Sequence, residues 1–148
     1  MLWIDHHYNL RKTIIAVITG VDHPTGINYN LEEIRLNFVE LFHDEERSKI
    51  LVELLTNQID LTEQITMVIA NHQHNEKLIS DWKTNAKLIS SCYGEEHRHR
   101  IKNILYVYLD MLLAEINAMI YNHDDLAITR QLSLNQINIL TKYLSNNI

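Results

Sequence analysis

From residue 27 to residue 148 the chain contains one glycine, Gly94, and no proline. These two residue types most often stop a helix or turn a strand. Their near-absence over such a length favours long helices over turn-rich β structure. The other breakers, Gly20, Pro24 and Gly26, cluster at and just before VDHPTGIN, which is expected to be the one clear loop. With 148 residues the chain fits one domain large enough to bury a core. The expected fold is all-α, a single-domain helical bundle over residues 1–148 with about five to seven helices.

Apolar periodicity and capping residues place the helices. The first is expected over Leu2–Thr19, stopped by Gly20. Its apolar stretch, Thr13 to Val21, falls short of the ~20 residues needed to cross a bilayer. Asn30 with Glu33 has the spacing of a capping box, followed by a stripe of Leu31, Ile34, Phe38, Leu41 and Phe42. Asp44 marks a second helix start, continued by Ile50, Leu51, Leu54 and Leu55, and Asp60 with Glu63 repeats the signal. A helix from Glu95 to about Asn122 is apolar on nearly all sides, which predicts the central element of the bundle. Leu105, Leu109, Leu112 and Ile116 are its expected core, and His99, Asn103, Tyr106, Asp110 and Asn117 its polar stripe. The last helix is expected to open at Ser133, with Gln136 completing a capping box, and to bury Leu134, Ile137, Leu140 and Leu144.

Between these lies a regular seam. Leu61, Ile65, Val68, His72, Asn75, Ile79, Trp82, Ala86 and Ile89 follow one another at alternating intervals of four and three. That is the heptad pattern, which keeps one helix face turned to a partner helix. Two adjacent members, His72 and Asn75, are polar, and burying them unpaired would cost roughly 1–3 kcal/mol each. Either they find polar partners across the seam or the helix breaks within NHQHNEK, residues 71–77. The unbroken seam predicts an interface through Leu61, Ile65, Val68, His72, Asn75, Ile79 and Trp82, either a homodimer or the docking of a helix from another protein. Protonation of His72 in such a seam would weaken the contact as pH falls.

Charge and composition exclude several functions. A net charge of −6 argues against a nucleic-acid binder, which would need a basic face. The single cysteine, Cys92, forms no internal disulfide and points to the reducing cytoplasm. Its small and apolar neighbours predict a buried side chain rather than a nucleophile. Ser90 and Ser91 lack a glycine-framed elbow, and no glycine-rich loop is present to cradle phosphate. With no complete catalytic set, the expected function is that of a non-enzymatic regulatory or adaptor protein. It would act through a protein partner or itself, with no cofactor, nucleic acid or membrane.

One stretch carries denser chemistry. Arg98-His99-Arg100-Ile101-Lys102-Asn103-Ile104-Leu105 resembles the phosphoacceptor box of sensor histidine kinases. In that family the box opens a helix of a dimerising hairpin and its histidine takes a phosphoryl group. The resemblance implies His99 as acceptor, Arg98, Arg100 and Lys102 as positive charge beside the phosphate, and Asn103 as the box asparagine. The kinases' ATP-binding domain has a glycine-rich lid, and no glycine follows Gly94. The resemblance therefore implies a phosphotransfer or docking module rather than a complete kinase. A further alternative is metal. Glu40-x-x-His43 and Glu96-x-x-His99 have the spacing found in ferritin-like di-iron bundles, where residues three apart on a helix share an ion. That fold takes two further glutamates from its other helices, and the segment before residue 31 has none.

Overall fold

The computed structural model describes residues 1–21 and 26–148 as an all-helical bundle. The helices are α1 (Leu2–Thr19), α2 (Ile27–Phe42), α3 (Glu45–Ala70), α4 (Glu76–Ser91), α5 (Glu95–Tyr121) and α6 (Leu126–Asn147), with a 3-10 turn at His123–Asp125 before the last. Of the expected loop, residues 22–25 lie outside the described residues, and Ile27 and Asn28 already belong to α2.

Helix ends follow local chemistry. Gly20 closes α1 in the left-handed region at φ 70°, which costs glycine nothing. The carboxylate of Asp44 accepts a hydrogen bond from the Arg47 backbone N–H and opens α3. Three expected starts are corrected. Asn30 lies one turn inside α2 and is buried, with its amide donating to the Leu2 carbonyl, so it ties α2 to α1 instead of capping. Asp60 and Glu63 sit inside α3, which runs unbroken past them because apolar and threonine side chains keep facing the core on both sides. Ser133 lies within α6, where its hydroxyl is buried against Glu115.

Packing places α5 at the centre, against α3, α4 and α6, while α1 packs on α2, α3 and α6. Leu105, Leu109, Leu112 and Ile116 are fully buried on one face of α5. By length and composition α5 is apolar enough to cross a membrane, and half of its most apolar window is buried inside the bundle. On α2, Leu31, Ile34 and Phe38 are buried, whereas Leu41 stands largely exposed. The buried threonines of α3 satisfy themselves locally: Thr62 donates to the Gln58 carbonyl and Thr66 to that of Thr62, each at 2.7 Å. Lys83 of α4 reaches Asp110 at 2.6 Å and lies over the Tyr106 ring, so part of the α5 polar stripe serves to hold α4.

The seam breaks at residues 71–75 and folds back, α3 against α4. Ile65, Trp82, Ala86 and Ile89 are buried within this hairpin, and the Trp82 indole N–H donates to Thr62 Oγ1 at 3.2 Å. The regular heptad spacing is therefore closed by the chain's own helices. The two polar members explain why the break falls where it does. Asn75 is exposed and caps α4, its Oδ1 accepting from the Leu78 N–H at 3.1 Å. His72 ends α3 in the left-handed region at φ 58°. There its N–H donates to the Ile69 carbonyl and that of Gln73 to the Val68 carbonyl, the paired closure usually built around glycine.

Candidate functional site

The hairpin break leaves an opening. The last turns of α3, the first turn of α4 and the C-terminal half of α5 surround a cleft of about 330 Å³. Its floor is Ile65, Val68, Ile69, Leu78, Ile79 and Leu113, and its rim is the turn His72–Asn75 together with Asn117 and Tyr121. Five of the seven seam residues expected at an interface meet here: Ile65, Val68, His72, Asn75 and Ile79. Of the other two, Trp82 is buried in the hairpin and Leu61 is half-buried on α3.

Hydrogen bonding orients the rim. The Tyr121 hydroxyl donates its proton to the Ile69 carbonyl at 2.7 Å, which also accepts from the His72 N–H at the end of α3. Its oxygen lies 3.0 Å from His72 Nδ1. A phenol has one proton, so His72 Nδ1–H is the donor of that second bond, which fixes the tautomer and leaves Nε2 free. The two rings also pack, with centroids 5.5 Å apart. At the other side of the rim His74 Nε2 lies 3.7 Å from Glu76 Oε1. An apolar, concave floor with a few fixed polar groups at the mouth is the usual form of a binding site.

A second constellation is sealed inside the bundle. His6 and His7 point from α1 to different neighbours. His6 Nε2 lies 2.7 Å from Gln58 Oε1 on α3, and His7 Nδ1 lies 2.7 Å from the Tyr108 hydroxyl on α5. Burial pushes both imidazoles down to about 4, with the Arg11 charge adding to the effect at His7. One turn further along α1, Arg11 grips Glu115 with two bonds of 2.9 Å, and Ser133 of α6 donates to the same carboxylate at 2.6 Å. Each of these groups has a partner in the bundle, although His6 Nδ1, His7 Nε2 and Gln58 Nε2 are buried with no hydrogen bond, and none of them lines the cleft. They hold α1, α3, α5 and α6 together. Sequence reasoning missed Glu115, although a carboxylate inside the apolar run from Ile104 to Ile120, off the stripe that carries Asp110 and Asn117, was its signal. It also missed Leu113 and Tyr121 as cleft residues.

The remaining expected sites lie elsewhere. His99 is exposed on the first turns of α5, and its Nε2 accepts from the Asn103 amide at 3.3 Å. Arg98, also exposed, pairs with Glu95 at 3.2 Å, and Lys102 lies over the Tyr106 ring. Glu40 and His43 are at the C-terminal end of α2, Glu96 and His99 at the start of α5. Among the described residues no group of three or more His, Cys, Asp or Glu side chains is placed to share a metal ion. Cys92 is buried, and burial pushes its thiol up, away from the thiolate that nucleophilic chemistry needs. The chain matches no family model, no curated protein and no solved structure.

Proposed function

We propose that this is a non-enzymatic regulatory or adaptor module that works by binding a protein partner, and that the cleft between the α3–α4 hairpin and α5 receives an apolar side chain of that partner. The observation that supports this reading is the convergence of the seam residues Ile65, Val68, His72, Asn75 and Ile79 on one apolar opening with a polar rim. No serine, threonine, cysteine, lysine or carboxylate lines the cleft, and its titratable side chains are two histidines and a tyrosine. Binding of an apolar group is what such a wall does without further chemistry.

The test is affinity capture from the native cells with the wild-type chain, with Ile79→Trp, which fills the cleft, and with Ile128→Trp on the exposed face of α6. A protein retained by wild type and Ile128→Trp, and lost with Ile79→Trp, is the expected result. Retention of every captured protein by Ile79→Trp would remove the reading.

A second reading keeps His99 as a phosphoryl acceptor. It is supported by the exposure of that ring and by Asn103 one turn along. Incubation with acetyl phosphate would then give an acid-labile, alkali-stable adduct on the wild type and none on His99→Gln. An unmodified wild-type chain would end this reading.

A further inference from the structure

The polar groups around the cleft narrow the partner, on the reading that the cleft binds one. The first observation is what the rim offers. His72 donates from Nδ1 to the Tyr121 oxygen, so the neutral ring presents Nε2 as a lone pair. Asn117 donates its amide to the Leu113 carbonyl at 3.0 Å, which leaves Oδ1 as an acceptor. Asn75, whose Oδ1 caps α4, adds a neutral amide donor. No lysine or arginine lines the cleft. Two oriented acceptors thus line the opening, and the net charge of −6 adds a field that draws cations toward the chain.

The second observation is a carboxylate without a cation. α4 and α5 form an antiparallel hairpin in which Lys83 meets Asp110 at 2.6 Å. Seven residues along each helix toward the cleft, the corresponding places are held by Glu76 and Asn117. The ion pair is not repeated there, because the acid faces an amide where a base would complete it. Glu76 stands at the mouth of the cleft, next to the lining residue Asn75, with its side chain 91% exposed. His74 Nε2 lies 3.7 Å from it, beyond a hydrogen bond. Lys77, the next residue, is committed to Asp81 at 2.8 Å. Among the described residues Glu76 has no lysine or arginine partner.

We propose that the cleft takes a basic amphipathic segment of a partner protein: a large apolar side chain enters among Ile65, Ile79 and Leu113, and a neighbouring Lys or Arg meets the acceptors of the rim, the Glu76 carboxylate first. The apolar contact supplies affinity and the carboxylate supplies selection, because a partner with an acid at that place meets like charge and two lone pairs.

The test uses the full chain, methyl-labelled for NMR, and three blocked tetrapeptides of sequence Ala-X-Phe-Ala with X as Lys, Gln or Glu. The Lys peptide is expected to bind about threefold tighter than the Gln form and about tenfold tighter than the Glu form, the scale of one exposed ion pair gained or reversed. Shifts should centre on the Ile65, Ile79 and Leu113 methyls. In Glu76→Gln, a change at an exposed position that leaves the Asn75 cap intact, the Lys and Gln peptides should bind alike. In Glu76→Lys the order should reverse, with the Glu peptide the tightest. Equal binding of the Lys and Gln peptides to the wild type, a preference that survives Glu76→Gln, or an order unchanged in Glu76→Lys overturns the inference and leaves cleft binding standing. No methyl shift with any of the three peptides overturns both. Concentration-dependent sedimentation of the chain alone, abolished by Ile79→Trp, would make a second copy the occupant and overturn the assignment to a partner.

Discussion

His6 and His7 are adjacent in sequence, yet the structure buries both, one against α3 and one against α5. Their folded-state values of about 4 lie below the ordinary value of 6.5, so the folded chain binds fewer protons than the unfolded chain between those two pH values. Stability is therefore at its full level above about pH 6.5 and falls as pH drops toward 4, at up to about 1.4 kcal/mol per pH unit for each histidine. Urea midpoints measured at pH 7.5, 6 and 5 should fall in that order. In His6→Gln the fall should be shallower. A midpoint that stays level between pH 7.5 and 5 would mean that the two rings are not buried as neutral groups. Nothing in adjacent histidines tells that a helix will send one ring to each of two neighbours. Residue-scale roles of this kind depend on which side chain faces them across the bundle.

Among elements, legibility tracked local chemistry. Leu2–Thr19 and Glu95–Tyr121 were plain because an apolar face of helical period ends in glycine or follows one. The Asp44 cap was equally plain, while the same signal at Asp60 was false. A capping box is a local preference, and an uninterrupted buried face from Leu51 through Ile65 outweighs it. These two positions give a paired prediction. Asp44→Ala should cost about 1 kcal/mol by loss of the bond to the Arg47 N–H, whereas Asp60→Ala should stay within about ±0.5 kcal/mol. Equal costs in a denaturant titration would show that Asp44 does not cap α3. The seam was legible as a pattern but not as a hairpin. Alternating intervals of four and three fit one helix against a partner or two helices against each other, and only the polar pair His72 and Asn75 pointed to the fold-back. Once the chain turns there, the cleft residues on α3 and α4 come together, and α5 supplies a wall with no sequence relation to them.

Across the molecule, the Arg11–Glu115–Ser133 cluster joins the first helix to the last two, and it is expensive to disturb. Glu115 is fully buried, so removing its partner leaves an uncompensated charge. Arg11→Met alone should destabilise by about 3–5 kcal/mol, and adding Glu115→Leu should restore much of the loss. A double variant less stable than the single one would mean that the pair contributes more than an apolar substitute can. This cluster keeps α5 in place, and α5 forms the far wall of the cleft on which the functional account rests. That account stands or falls on the cleft accepting an apolar group with no help from polar contacts. The most direct measurement is a methyl-detected NMR titration of the wild-type chain with toluene. Saturable shifts confined to Ile65, Val68, Ile69, Leu78, Ile79 and Leu113, and absent in Ile79→Trp, are the predicted result. Shifts scattered over the surface, or none at these six side chains, would contradict it.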